Sequence, residues 1–373
     1  MTRRGLLQTG FATLAASPAF AQKTESNAMR YTALALQVRC DAVNADQTPE
    51  AAETRKMATI ARIGGQIGAS KGFISGFNGT DLKLVCLPEY FLTSFPLGET
   101  RAQWKAKAAI DVNGKESEAL GALAQKFKLF LCGNAYENDP NFPDLYFQSN
   151  LIWGPNGDVV LRYRRLISLY APTPYDVLDR YLEVYGADAL FPVADTEIGK
   201  LATIASEEIL YPEIARMHAM KGAEVLLHPT SEVGSPALTA KDIAKRARAI
   251  ESMAYVVSAN SASIEGIAVP AASTDGMSKI VDWNGKVLVE AGTGETMVAN
   301  AVIDLPALRD TRRRTGMTNF LARQPNQLYA DAYAKQEFAP ANATPDGKMR
   351  ERSDVLAAQR AVIDRLVASG VLK

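Results

Sequence analysis

The chain has 373 residues with 41 Lys+Arg balanced by 41 Asp+Glu, so it carries no net positive field and no nucleic-acid partner is expected. At 47% hydrophobic and 22% charged residues the composition is globular, which excludes disordered, collagen-like and membrane-spanning classes. Cys40, Cys86 and Cys132 have no Cys-x-x-Cys spacing and only His218 and His228 could add imidazole ligands, so neither a metal site nor another cofactor is expected.

At the N-terminus, Arg3-Arg4 and Leu6-Leu7 precede a short apolar run over 11–16 and the small-residue site Ala19-Phe20-Ala21. This pattern reads as a targeting peptide of residues 1–21. The paired arginines point to the twin-arginine route into a bacterial periplasm or beyond it, and the alternative is an ordinary secretory signal. The apolar run is broken by Gly10 and Thr13 and is too short to span a bilayer, so no stable membrane insertion is expected after cleavage. Three cysteines cannot all pair within one exported chain. Apolar neighbours make Cys86 and Cys132 read as core thiols.

Residues 31–38 read as a buried strand, 49–67 as a helix, 82–87 as a strand, 116–127 as a helix and 129–132 as a strand. This alternation predicts an α/β protein with mixed sheets. Strands 146–153 and 159–163 flank Asn156-Gly157, and 278–282 and 286–290 flank Asn284-Gly285, two hairpin signals. Between them come strand 201–205, helix 212–221, strand 224–228, helix 240–253 and strand 255–258. No linker divides residues 22–315, which read as one domain. Residues 316–373 follow as an arm, polar over 325–348, and an amphipathic helix. Ser353 is its expected N-cap, Val355, Leu356, Ile363 and Leu366 its docking face, and Gly370 its stop.

Four ordered segments carry a resemblance: Leu87-Pro88-Glu89-Tyr90, Arg162-Tyr163-Arg164-Arg165-Leu166, the stretch 199–216 around Ser206, and Arg246-Ala247-Arg248-Ala249-Ile250-Glu251. Together they resemble the nitrilase, or carbon-nitrogen hydrolase, superfamily over about residues 30–315. The resemblance implies a four-layer α-β-β-α sandwich, a homodimer or higher homo-oligomer formed through its helices, and attack on an amide, nitrile or carbamoyl carbon. It also implies three catalytic positions: a general-base Glu at Glu89, an oxyanion-stabilising Lys at position 165 and a nucleophilic Cys at position 206. Here the last two are Arg165 and Ser206. Asp179 falls where relatives carry a second acidic residue near the substrate.

A serine hydroxyl, unlike a thiol, needs a base during attack. Arginine keeps its charge and forks toward carboxylates, so Arg165 can stabilise an oxyanion or pair with Glu89. Two readings therefore stand. One is an amidase-like hydrolase using Ser206; the other is a catalytically inactive relative that binds a small anionic, carboxylate-like ligand or a partner in the same pocket. Glu207 and Glu208 read either as helix-start acids or as site residues. His228 is expected at the active-site rim, where a Ser206–His228 dyad oriented by Glu207 or Glu232 is one reading and a strand-end histidine the other. Tyr90, Phe91, Phe95 and Tyr170 are expected around the pocket. Arg246, Arg248 and the 312–314 run read as solvated or interface charges, and His218 as a surface or packing residue.

Overall fold

The computed structural model describes residues 29–373 apart from 236, 337 and 345, so the 1–21 targeting peptide lies outside the described residues. Two sheets form the centre. In the first, the strands run Asn300–Asp304, Arg30–Ala35, Leu82–Cys86, Phe130–Asn138, Phe147–Trp153 and Val159–Arg164, with Ile110–Asp111 pairing beside Phe130–Asn138. In the second they run Val287–Glu290, Lys279–Val281, Tyr255–Ala259, Val225–Pro229, Gly199–Thr203 and Ala194–Thr196. Both mix parallel crossovers with antiparallel hairpins.

Period-2 alternation gives the central strands of the first sheet two apolar faces. Tyr31, Leu84, Cys132 and Leu161 meet Leu201, Val225, Leu227 and Val257 of the second sheet in one buried cluster. On the opposite face, Leu34, Val85, Leu131 and Trp153 pack against Ile60, Ile63 and Ile67 of the helix Pro49–Asn78 and Leu120 of the helix Lys115–Phe127. The helices Pro212–Met220 and Ala240–Ser252 cover the second sheet through residues such as Ile214, Ala215 and Ala249. The layers are therefore α-β-β-α, as expected. All three cysteines are buried free thiols.

Several elements differ from the sequence reading. The first helix continues past 67 to Asn78, because Gly64 and Gly68 open a groove for the neighbouring helix: a Cβ there would meet Leu123 at 2.7 Å and Phe127 at 3.1 Å. The helices Arg101–Ala108, Leu178–Tyr185 and Leu305–Arg313 lie in segments to which the sequence reading assigned no element. Arg248 and Arg312 are structural cations: Arg248 Nε donates to the Ile209 carbonyl at 3.0 Å, and Arg312 caps the Met253, Ala223 and Ser252 carbonyls. Arg246 Nε likewise donates to the Gly285 carbonyl.

The arm contains the helix Asn326–Ala334 and then folds back over residues 170–179. Thr344 donates to the Asp176 carbonyl, Arg350 pairs with Asp176 at 2.7 Å, and Arg352 lies 4.3 Å over the Tyr170 ring. The final helix, Arg352–Ala368, starts from Glu351 rather than Ser353. Its apolar face is only half covered. Val355, Ile363 and Leu366 are half-buried, while Leu356 stays 43% exposed. No described helix is long and apolar enough to cross a membrane.

Candidate active site

The site forms where the C-terminal ends of parallel strands from both sheets meet. Leu82–Cys86 leads to Glu89, Gly199–Thr203 to Ser206 and Val225–Pro229 to Thr230; the Glu89 N–H donates to the Thr230 carbonyl at 3.1 Å and ties the sheets together. Arg165 arrives from the end of the antiparallel strand Val159–Arg164. Glu89, Arg165 and Ser206 are all buried, at 2%, 6% and 3% exposure.

Arg165 organises this cluster. Its Nη1 donates to Glu89 Oε1 at 3.2 Å and Gln148 Oε1 at 2.7 Å, Nε donates to the Ile167 carbonyl at 2.7 Å, and Nη2 pairs with Glu207 at 2.5 Å. Four of the five guanidinium N–H groups are thus committed. Gln148 Nε2 donates to the same Glu89 oxygen at 2.8 Å. Burial works against the Arg165 charge, but Glu89 and then Glu207 outweigh it and raise its pKa.

Ser206 sits on a sharp elbow between its strand and a short 3-10 helix, with φ +46°. A left-handed backbone is costly for a residue with a Cβ and persists where the surroundings enforce it. Glu208 supplies much of that enforcement, since its carboxylate accepts from Tyr163 OH at 2.7 Å and from the backbone N–H groups of Leu166, Ile167 and Ala205. One carboxylate therefore locks both the elbow and the turn after Arg165. Burial raises the Glu208 pKa despite Arg165 and these donors.

His228 does not form the proposed dyad. Its Nε2 lies 2.8 Å from the Ser206 carbonyl oxygen, which can only accept, so Nε2 carries the proton; Nδ1 then accepts from Ser258 Oγ at 2.8 Å. Both ring nitrogens are occupied by the backbone and a neighbouring strand. Burial, then the Lys245 charge, push its pKa well below the usual histidine range. His228 is a neutral buttress of the elbow. Glu232, the other candidate orienting acid, is paired with Lys245 at 2.5 Å.

Asp179 is also displaced. It sits exposed at the start of the helix Leu178–Tyr185, its N–H donating to Asn342 Oδ1 at 2.9 Å, and it borders a separate cavity with Asn342 and Thr344. Phe91 is a core residue whose ring fills the space above Gly133.

Sequence reasoning missed Lys241, in the first turn of the helix Ala240–Ser252. Its Nζ is 3.0 Å from Ser206 Oγ, 3.4 Å from Thr230 Oγ1 and 3.3 Å from the Ser231 carbonyl. A signal was present, since a cation at a helix N-terminus opposes the dipole and needs another reason to be there. Burial lowers its pKa even against the pull of Glu89 and Glu232.

A cavity of about 420 Å³ opens in front of Arg165 and Glu207, walled by Tyr90, Phe95, Tyr136 and Tyr170, with Arg352 of the folded-back arm at its edge. A family model for carbon-nitrogen hydrolases matches residues 39–313. The chain belongs to the carbon-nitrogen hydrolase family. Among relatives of this family, an omega-amidase of Xenopus laevis is 27% identical over 62% of this chain and 80% of its own length. An omega-amidase of Saccharomyces cerevisiae is 26% identical over 64% and 80%. A carbon-nitrogen hydrolase from Helicobacter pylori G27 shares the fold with a TM-score of 0.62 at 21% identity, covering 83% of this chain and 99% of that one. A Saccharomyces cerevisiae member of branch 10 of the nitrilase superfamily gives a TM-score of 0.59 at 22% identity over 79% and 97%.

Proposed function

We propose that the chain is an amidase-like carbon-nitrogen hydrolase that uses Ser206 as nucleophile against a small amide. The observation carrying this reading is the Ser206 elbow: a left-handed, buried hydroxyl at a strand end, held by Glu208 and His228 and followed by Glu207, which pairs with the cationic Arg165. Such strain is retained where chemistry needs a side chain presented at one point. Arg165 keeps one uncommitted N–H for a developing oxyanion. Glu89, held by Arg165 and Gln148 together, anchors that guanidinium in place.

The aromatic walls and the Arg165 and Glu207 pair on the floor suit a small, planar, polar substrate, with amides and nitriles both of the right chemistry. A second reading is favoured by one feature, the near-complete commitment of Arg165 to Glu89, Gln148, Ile167 and Glu207, which resembles a closed binding pocket. An amide, nitrile and ester panel with intact-mass detection separates the two. A hydrolase shows turnover and an acyl adduct on Ser206, both lost in Ser206→Ala. A binding protein shows neither and keeps its ligand affinity in that variant.

A further inference from the structure

The geometry points to Lys241 as the base that activates Ser206, a serine–lysine dyad built from the elbow and the first turn of the helix Ala240–Ser252. The inference deepens the hydrolase reading and rests on it.

The buried lysines in the described structure each have a carboxylate: Lys56 pairs with Glu116 at 2.5 Å, Lys245 with Glu232 at 2.5 Å and Lys279 with Asp242 at 2.8 Å. Lys241 instead meets three neutral oxygens, Ser206 Oγ, Thr230 Oγ1 and the Ser231 carbonyl. An ammonium can donate to all three, and a neutral amine needs only two of them as acceptors. Two N–H groups can donate to Thr230 and Ser231, which leaves the lone pair for the Ser206 hydroxyl proton. The carboxylates whose charges reach Lys241 are already engaged, Glu89 by Arg165 and Gln148 and Glu232 by Lys245. Opposing charge comes from Arg165 and Lys245, and the helix N-terminus adds its partial positive charge. His228 cannot compete for the proton, because its Nε2–H is given to the Ser206 carbonyl.

The steps balance with water as the only co-reactant. The Lys241 lone pair takes the Oγ proton as the Ser206 oxygen bonds to the amide carbon and the carbonyl π pair moves onto oxygen beside Arg165. When that pair returns, the C–N bond breaks and the amine leaves with the proton from the Lys241 ammonium. Water then attacks the acyl-serine ester, Lys241 takes its proton and returns it to Ser206 Oγ, and a carboxylic acid is released.

The test is acetylation of the purified chain by p-nitrophenyl acetate, whose leaving group needs no proton, followed by intact mass and burst kinetics from pH 5 to 10. Wild type is expected to acetylate at Ser206 with a single rising pH limb whose midpoint lies between the carboxylate range and the ordinary lysine value of about 10.4. Lys241→Met and Lys241→Arg are each expected to lose about 10²–10⁴-fold in acetylation rate, and the limb with it, the range typical of a general base. Arginine keeps the cation and the stem but cannot act as the base, so its failure to rescue separates chemistry from packing. Acetylation of both variants within threefold of wild type, or a wild-type limb at carboxylate pH, overturns the dyad and leaves Ser206 as nucleophile. Absence of any Ser206-dependent acetylation in wild type overturns the dyad and the hydrolase reading together.

Discussion

At the residue scale, the functional groups at positions 165 and 206 decide how their neighbours are used. A hydroxyl at position 206 cannot ionise as a thiol does, and an arginine at 165 binds carboxylates more tightly than a lysine, so Glu89 is drawn into a fixed pair. The double variant Ser206→Cys with Arg165→Lys is expected to gain amidase or esterase activity on a broad panel, because it supplies a more acidic nucleophile and leaves Glu208 and His228 unchanged. No activity in either the wild type or the double variant, with an intact circular dichroism spectrum, would move the pocket toward ligand binding. Glu208→Gln leaves the backbone donors of Leu166 and Ile167 facing an amide in place of a carboxylate. It is expected to lower kcat and to cost about 1–3 kcal/mol of stability in urea denaturation. His218, buried between Tyr163 and Phe191, has its pKa pushed down to about 4 by burial. The unfolded chain takes up that proton first, at about 6.5, so the stability tied to His218 is whole above that pH and falls by about 3 kcal/mol as pH drops to 4. Unfolding midpoints of wild type and His218→Phe between pH 7.5 and 4 should show a shallower acid slope in the variant.

Elements are placed by close approaches that a window of sequence does not display. In the helix Lys115–Phe127, a Cβ on Gly121 would sit 2.2 Å from the Gly157 carbonyl, so the Asn156-Gly157 hairpin tucks directly beneath that helix. Gly157 itself has φ +93°, the conformation that the turn requires. Gly65, in the helix Pro49–Asn78, has open space where its Cβ would be. Gly121→Ala is therefore expected to destabilise by about 1–3 kcal/mol and Gly65→Ala to stabilise by about 0.4–1 kcal/mol, read from thermal or urea unfolding. Equal effects would contradict this packing. The helix Arg101–Ala108 is opened by a capping box from Thr100 and Gln103. That four-residue signal was legible in the sequence, but the helix is short and its two buried residues, Trp104 and Ala108, make too sparse a stripe to register as periodicity.

On the scale of the whole molecule, the outer helices leave apolar groups uncovered. Met220 is 48% exposed, Ile243 59% and Leu356 43%. We propose that the layer formed by Pro212–Met220 and Ala240–Ser252 meets a second copy of the chain, and a dimer mass by light scattering at micromolar concentration is the expected result. A monomer would remove the proposal. Export is proposed on the Arg3-Arg4 pair: residues 1–30 fused to a reporter that folds in the cytoplasm should deliver it to the periplasm, and Arg3→Lys with Arg4→Lys should stop delivery. Continued export through the general secretory route would make those arginines ordinary charge.

Hydrophobic periodicity and the two Asn-Gly turns were enough to read the central strands and the main covering helices of the sandwich, because burial of alternating faces is a local property of the chain; the edge strands Asn300–Asp304 and Ala194–Thr196 were not read. The motif order likewise placed Glu89, Arg165 and Ser206 at strand ends that share a face. Sequence could not tell where each side chain would find its partner. His228 was open to two readings, a dyad partner of the Ser206 hydroxyl or a strand-end histidine, and it turns to the carbonyl of Ser206, a choice fixed by the neighbouring strand that carries Ser258. Asp179 lost its place to a short helix that exposes it, and Arg312 left the solvated run to cap four backbone carbonyls. Lys241 reaches Ser206 across 35 positions of sequence, with Thr230, just past the end of the strand Val225–Pro229, as a second contact. Only the packing of the helix Ala240–Ser252 against the second sheet sets that 3.0 Å separation, because hydrogen bonds depend on distance and direction in space while sequence records neither.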